Sequence, residues 1–179
     1  MSLIFAACQK FAARCGDSWT RYIGWSGHQH IREVVSADSM LCPTLIDGLI
    51  DEDWDFNVHE DNRVHLFRDY QYLIRRIRYD ESRHNILAII EHPEHAVALP
   101  PGFTFCGYDI IDSYDSISVL LNCGAFPSIF TSSELNESGL LSALDRASTI
   151  ANTLRMDHAG DSHCCDCRVW GMARYKTAA

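Results

Sequence analysis

The densest apolar run in the chain, Ile-Leu-Ala-Ile-Ile within Asn85–Glu91, is the feature that most restricts the fold. It is far shorter than the ~20 apolar residues of a membrane-spanning helix and reads as a strand. Pro100, Pro101 and Gly102 then break the chain. Phe103 to Ile111 and Ile117 to Leu121 follow as a hairpin pair around Ser113, Tyr114 and Asp115. Strands in such succession, with no regular βαβ alternation, favour antiparallel pairing with helices packed on one face. The expected fold class is therefore α+β. The chain of 179 residues forms a single domain, residues 1–179. A domain near this size removes roughly 70% of its unfolded surface from water.

Helical spacing supplies the other layer. Leu140, Leu141, Leu144, Ala147, Ala151 and Leu154 recur at steps of three and four, which predicts a helix over Leu140 to Met156. Asp69 caps a second helix running to about Tyr79, with Tyr70, Leu73, Ile74 and Ile77 inward. Leu3, Ile4, Ala7, Cys8 and Phe11 predict a third over Leu3 to Cys15, ended by Gly16 and Asp17. Asp38 or Ser39 caps a helical turn, and Pro43 begins a helix carrying Leu45, Ile46, Leu49 and Ile50 on one face. Ser133 with Glu134 resembles a helix start. Ile31 to Val35, Val64 to Phe67 and Cys165 to Tyr175 read as further strands.

The balance of 15 Lys and Arg against 24 Asp and Glu gives a net charge of −9. That argues against nucleic-acid binding, which needs a basic stripe to displace counterions. It suits a basic protein partner, because opposite fields speed encounter. No basic residue precedes the short apolar run Leu3 to Cys8, unlike a secretory signal. With no membrane span either, the expected location is cytoplasmic. In that reducing compartment the eight cysteines are read as small buried hydrophobes unless they bind metal or react.

Four sets of residues bear chemistry. Asp47, Asp51, Glu52, Asp53, Asp55, Glu60 and Asp61 follow one another with no Lys or Arg between them, and Trp54 and Phe56 stand among them. Aromatic anchors give interfaces affinity while charge gives steering and register. Asp51, Glu52, Asp53, Trp54, Asp55 and Phe56 are thus the candidate partner-binding residues. The alternative is a solvated helix end with Trp54 packed inward. His158, Asp161, His163, Cys164, Cys165 and Cys167 are soft ligands close together. Their spacing is poor for structural zinc, and a second pair such as His28 with His30 or His92 with His95 would have to complete the site. The alternative puts Cys165, Cys167, Val169 and Ala173 along one buried strand face. Cys123 follows an apolar strand, where a nucleophile can be displayed, but no hydrolase signature surrounds it. Asp109, Asp112 and Asp115 form a carboxylate group without the glycine and glutamate of a calcium loop. Arg68, Arg75, Arg76, Arg78 and Arg83 could contact phosphate, but read rather as a solvated helix face paired with acids such as Asp69, Asp80 and Glu81. Neither a catalytic residue nor a cofactor or metal is assigned.

Gly107-Tyr108-Asp109 through Asn122-Cys123-Gly124, Ser133-Glu134-Leu135-Asn136 leading into the long helix, and His163 through Arg174 cover a little under a third of the chain. In style, size and acidity these blocks resemble small acidic bacterial immunity proteins, which are encoded beside secreted toxins. The resemblance implies a cytosolic inhibitor that binds its toxin tightly. Such proteins share no catalytic residues to carry over. The competing expectation is a small cytosolic hydrolase, cysteine-dependent at Cys123 or metal-dependent at the carboxyl-terminal His/Cys cluster.

Overall fold

The computed structural model describes residues 3–41, 66–77, 79–112, 116–122, 129–157, 164 and 166–176. Its centre is a four-stranded antiparallel sheet built from β1 (Ile4–Gln9), β4 (His84–Ile90), β5 (Phe103–Asp112) and β6 (Cys167–Tyr175). The spatial order is β1-β4-β6-β5. Two short strands, β2 (Phe11–Ala12) and β3 (Glu33–Val34), pair separately. Helices α1 (Asp17–Ser26), α2 (Tyr70–Arg76), α3 (Val119–Asn122) and α4 (Leu144–Asp157) lie beside the sheet. This is the α+β class expected, and no helix among the described residues is long and apolar enough to cross a membrane.

Both faces of the sheet are covered, which explains why β1 and β4 are apolar at consecutive positions. On one face Phe5, Ala7, Ile86, Ala88 and Ala173 meet Leu73 and Ile77 from α2 and its end. Phe5, Tyr70, Phe103 and Tyr175 join them, with ring centroids 5.2–5.3 Å apart for Phe5–Tyr70, Tyr70–Phe103 and Phe103–Tyr175. Helix α4 closes the β5–β6 end through Ala147, Ile150, Ala151 and Leu154, packed in one cluster with Ile110 and Cys167. On the other face Ile4, Ala6, Cys8, Leu87, Ile89, Trp170 and Met172 lie under Val35, Ala37, Leu66 and Leu140, from loops and not helices. Full burial of one such aliphatic side chain stabilises by about 1.5–3 kcal/mol.

Several expected elements change character. Leu3 to Cys15 is not a helix: Ile4–Gln9 is an edge strand paired Ile4↔Ile89 through Gln9↔His84. Its steps of three and four arise because both strand faces are buried, so position no longer reports a period. Gly16 and Asp17 do not end a helix but begin α1, which stops at Gly27 with φ of 73°. Only glycine adopts that left-handed geometry without strain. Ile117 to Leu121 supplies one bridge, Ile111↔Ser118, before turning into α3. The strand partner of β5 is β6. On the outer side of this edge strand only the single bridges Tyr108↔Leu141 and Ile111↔Ser118 form among the described residues, because the chain enters α3 at Val119. Leu140 and Leu141 precede the long helix, and Leu141 instead exchanges both backbone hydrogen bonds with Tyr108. That approach needs Gly107, whose φ is 143° and where a Cβ would lie 2.7 Å from the Leu141 carbonyl. Of Val64 to Phe67, the described part is Leu66 and Phe67, and Phe67 makes one bridge to Phe5. The expected helix carrying Leu45 to Ile50 lies outside the described residues.

Other local signals hold. Asp69 accepts from the Gln71 and Tyr72 amides as N-cap of α2. Thr131 and Glu134 form a reciprocal capping box around the turn Ser132–Glu134. Asp38 Oδ1 accepts from the Met40 amide at 2.8 Å to start the turn Ser39–Leu41.

Candidate functional site

Two polar assemblies stand out among the described residues, one sealed and one open. The sealed assembly lies on the loop-covered face of the sheet. Strand alternation turns Asp109 of β5 inward opposite Trp170, and the residue is fully buried. Ser36 donates to Oδ2 and Ser118 to Oδ1, each at 2.6 Å. The Ile110 amide donates to Oδ1 at 2.8 Å. Asp38, also buried, accepts from the Ser118 amide through Oδ2 at 2.8 Å. Ser116 sits beside this frame with φ of 53°, and its carbonyl accepts from the Ser39 amide at 2.8 Å. The left-handed backbone of a non-glycine residue costs on the order of 1–3 kcal/mol, here offset by the contacts around it.

Electrostatics make the sealed assembly unusual. Loss of water is the largest influence on Asp109 and pushes its pKa up to about 7; the three donors oppose it and nearby Asp38 adds to it. Tyr22, whose hydroxyl donates to the Leu121 carbonyl at 3.3 Å, is pushed above the ordinary tyrosine range, first by burial and then by Asp109. A carboxyl titrating near neutrality has the affinity for acid–base work. Without solvent contact, however, Asp109 acts as an internal tie joining residues 36–41, 109 and 116–118.

The open assembly is a cleft of about 420 Å³ lined by Gln9, Lys10, Arg14, Cys15, Ser82, Arg83 and His84. The Lys10 amide donates to the Arg83 carbonyl at 2.9 Å, which brings the end of β1 against the turn before β4. The short turn Ala13–Cys15 adds Arg14. A second cleft of about 390 Å³ between Glu91–Glu94 and α4 carries both signs of charge, including Glu91, Glu94, Arg155 and Arg168.

The sequence candidates separate accordingly. Asp51, Glu52, Asp53, Trp54, Asp55 and Phe56 lie outside the described residues, as do Asp115, Cys123, His158, Asp161, His163 and Cys165. Asp109 and Asp112 are both buried, but they stand three positions apart on β5, so their side chains leave opposite faces. Cys164 and Cys167 are buried. Burial pushes the Cys167 thiol up to about 11, and the thiol donates to the Ala151 carbonyl at 3.6 Å. Cys167, Val169 and Ala173 follow one strand face, with Cys167 and Ala173 buried and Val169 half-buried. The histidines considered as completing ligands have other partners. His28 is within 2.8 Å of the Ser132 hydroxyl and 3.2 Å of the Leu120 carbonyl. His30 meets the Leu135 carbonyl at 2.8 Å, and His92 and His95 both flank Glu94. Among the described residues no three His, Cys, Asp or Glu side chains gather to hold a metal ion.

Sequence reasoning passed over Ser36 and Ser118 and the grouping of Lys10, Arg14, Arg83 and His84. No periodicity signals either set. The local hints are Asp109, which stands out as a carboxylate, and Asp38, which stands out as a cap and whose second oxygen reaches the Ser118 amide. Comparison of the chain with protein-family models, with curated proteins and with solved structures finds no match.

Proposed function

We propose that this protein acts by binding another protein, and that it neutralises a basic bacterial toxin by direct contact, as an immunity protein does. The observation that carries the reading is the concentration of charge between residues 42 and 65. Seven of the chain's 24 acidic residues fall there against a single arginine, Arg63. The chain on either side of this segment is anchored. The turn Ser39–Leu41 is tied down by Asp38 and Ser116, and Leu66 is fully buried while Phe67 bridges Phe5. Met40, at the edge of the segment, is 73% exposed. An acidic stretch carrying Trp54 and Phe56 combines steering charge with aromatic anchors.

The hydrolase alternative rests on Cys123 or on the carboxyl-terminal His/Cys cluster, and Cys123, His158, His163 and Cys165 lie outside the described residues.

The test uses the full chain as bait at moderate salt, followed by calorimetry with the purified partner. A basic protein whose toxic activity is suppressed at one-to-one ratio is the expected outcome. Changing Asp51, Glu52, Asp53 and Asp55 to Lys should weaken binding about tenfold or more and flatten its salt dependence. Unchanged affinity would remove the segment as the contact. Retention of no basic partner would remove the reading itself.

A further inference from the structure

We infer that the cleft at the end of β1 is a binding site for a phosphate group carried by a small phosphorylated molecule or by a phosphorylated side chain. Lys10, Arg14 and Arg83 converge on its walls. None of the three is within ion-pair distance of a carboxylate among the described residues. The other cations with described ion pairs include Arg32 with Glu137, Arg146 with Glu134 and Arg174 with Glu33. In a chain of net charge −9, three cations on one concavity without a described ion pair are a local excess that the overall composition hides. Two guanidinium forks and an ammonium suit a tetrahedral oxyanion, which offers acceptors in several directions, better than a planar monocarboxylate.

Asp80 faces Arg83 and His84 closely: hydrogen bonds from Ser82 lead the causes that lower its pKa, and the charges of those two residues help. It forms no ion pair with Arg83, and its Oδ1 accepts from the Ser82 amide at 2.8 Å. The Asp80 carbonyl accepts from the Arg83 and His84 amides, each at 2.9 Å, fixing the turn that presents Arg83. His84 is half-buried, and its buried Nδ1 has no hydrogen-bond partner among the described residues. An unmade hydrogen bond at a buried polar atom costs about 1–3 kcal/mol. The cleft's 420 Å³ falls within the ~300–1,000 Å³ of small-molecule sites, leaving room for more than the phosphate itself. This inference does not depend on the toxin reading.

Titration calorimetry of the whole protein with inorganic phosphate, against chloride at equal ionic strength, tests the inference. Saturable binding of one phosphate is expected at millimolar concentration, weakened about tenfold for each cation removed in Arg14→Gln and Arg83→Gln. Both side chains are exposed, so the fold should survive, and an unchanged thermal transition verifies this. Arg21→Gln with Arg32→Gln removes equal charge elsewhere and should leave binding intact. Glycerol phosphate and a phosphoserine peptide then separate the two sources, the tighter of them identifying the carrier. Absence of saturable binding, or equal loss in the Arg21/Arg32 variant, would overturn the site.

Discussion

The two faces of the sheet are equally dry but differently made. Under α2, Phe5, Phe103, Tyr70 and Tyr175 pack with Leu73 and Ile86. Across the sheet, Ser36, Asp38, Asp109 and Ser118 spend several directional hydrogen bonds on two carboxyl groups. Burial stabilises the first face regardless of fine geometry and of pH. On the second, burial is costly unless each polar atom finds its partner, and the result fixes which loops lie where. One face supplies stability, and the other supplies registration between segments far apart in sequence.

The largest effect expected is on the aromatic face. Phe103→Ala should cost about 3–5 kcal/mol in urea unfolding, with the same loss at pH 5 and pH 8. A loss under about 1 kcal/mol would mean the rings contribute little and the contrast is false.

The polar face should respond to pH. Asp109 has a folded pKa of about 7, above the ordinary 3.8, so the folded protein holds a proton that the unfolded chain has released. Its stabilising contribution is fully present below about pH 4 and is lost as pH rises through 7. His28 and His84 have lowered pKa values, chiefly from burial, and act oppositely, losing stability below about pH 6.5. Comparison with a variant isolates the aspartate. Asp109→Asn should gain on the natural protein by a few kcal/mol between pH 4 and pH 8. A difference that stays flat across that range would show Asp109 ionised throughout.

The smallest effect sharpens the same contrast. Ser118→Ala removes one donor to Asp109 and should cost about 1–3 kcal/mol, more above pH 7, where the carboxylate is charged. Equal costs at pH 5 and pH 8 would separate the serine from the titration.

These differences also explain what could be read in the chain beforehand. The α+β class, β4, β5, the Asp69 cap and most of α4 were legible because each depends on neighbours within a few residues. Strand β1 misled because a strand buried on both faces has lost its two-residue alternation. The hairpin at Ile117 to Leu121 misled because its apolar residues turn into a buried helix at Val119 after a single bridge, while β5 pairs along its length with β6, more than 40 residues later. The Ser36–Asp109 bond spans 73 residues, and Lys10 meets Arg83 across a similar gap, so neither site leaves a local pattern. The acidic segment was the plainest feature of the sequence and lies outside the described residues.

The strand order also bears on how the protein is made. Of the four strands of the sheet, β6 leaves the ribosome last, yet it occupies an interior place between β4 and β5. Until residue 175 has emerged, the β1–β4 ribbon and β5 each present an unpaired edge with apolar side chains. Such edges invite pairing with other chains. The nascent protein therefore passes through a stage, before β6 docks, at which these edges leave it exposed to aggregation. A lesion that delays β6 should lower the yield of folded protein more than its effect on the finished fold would suggest.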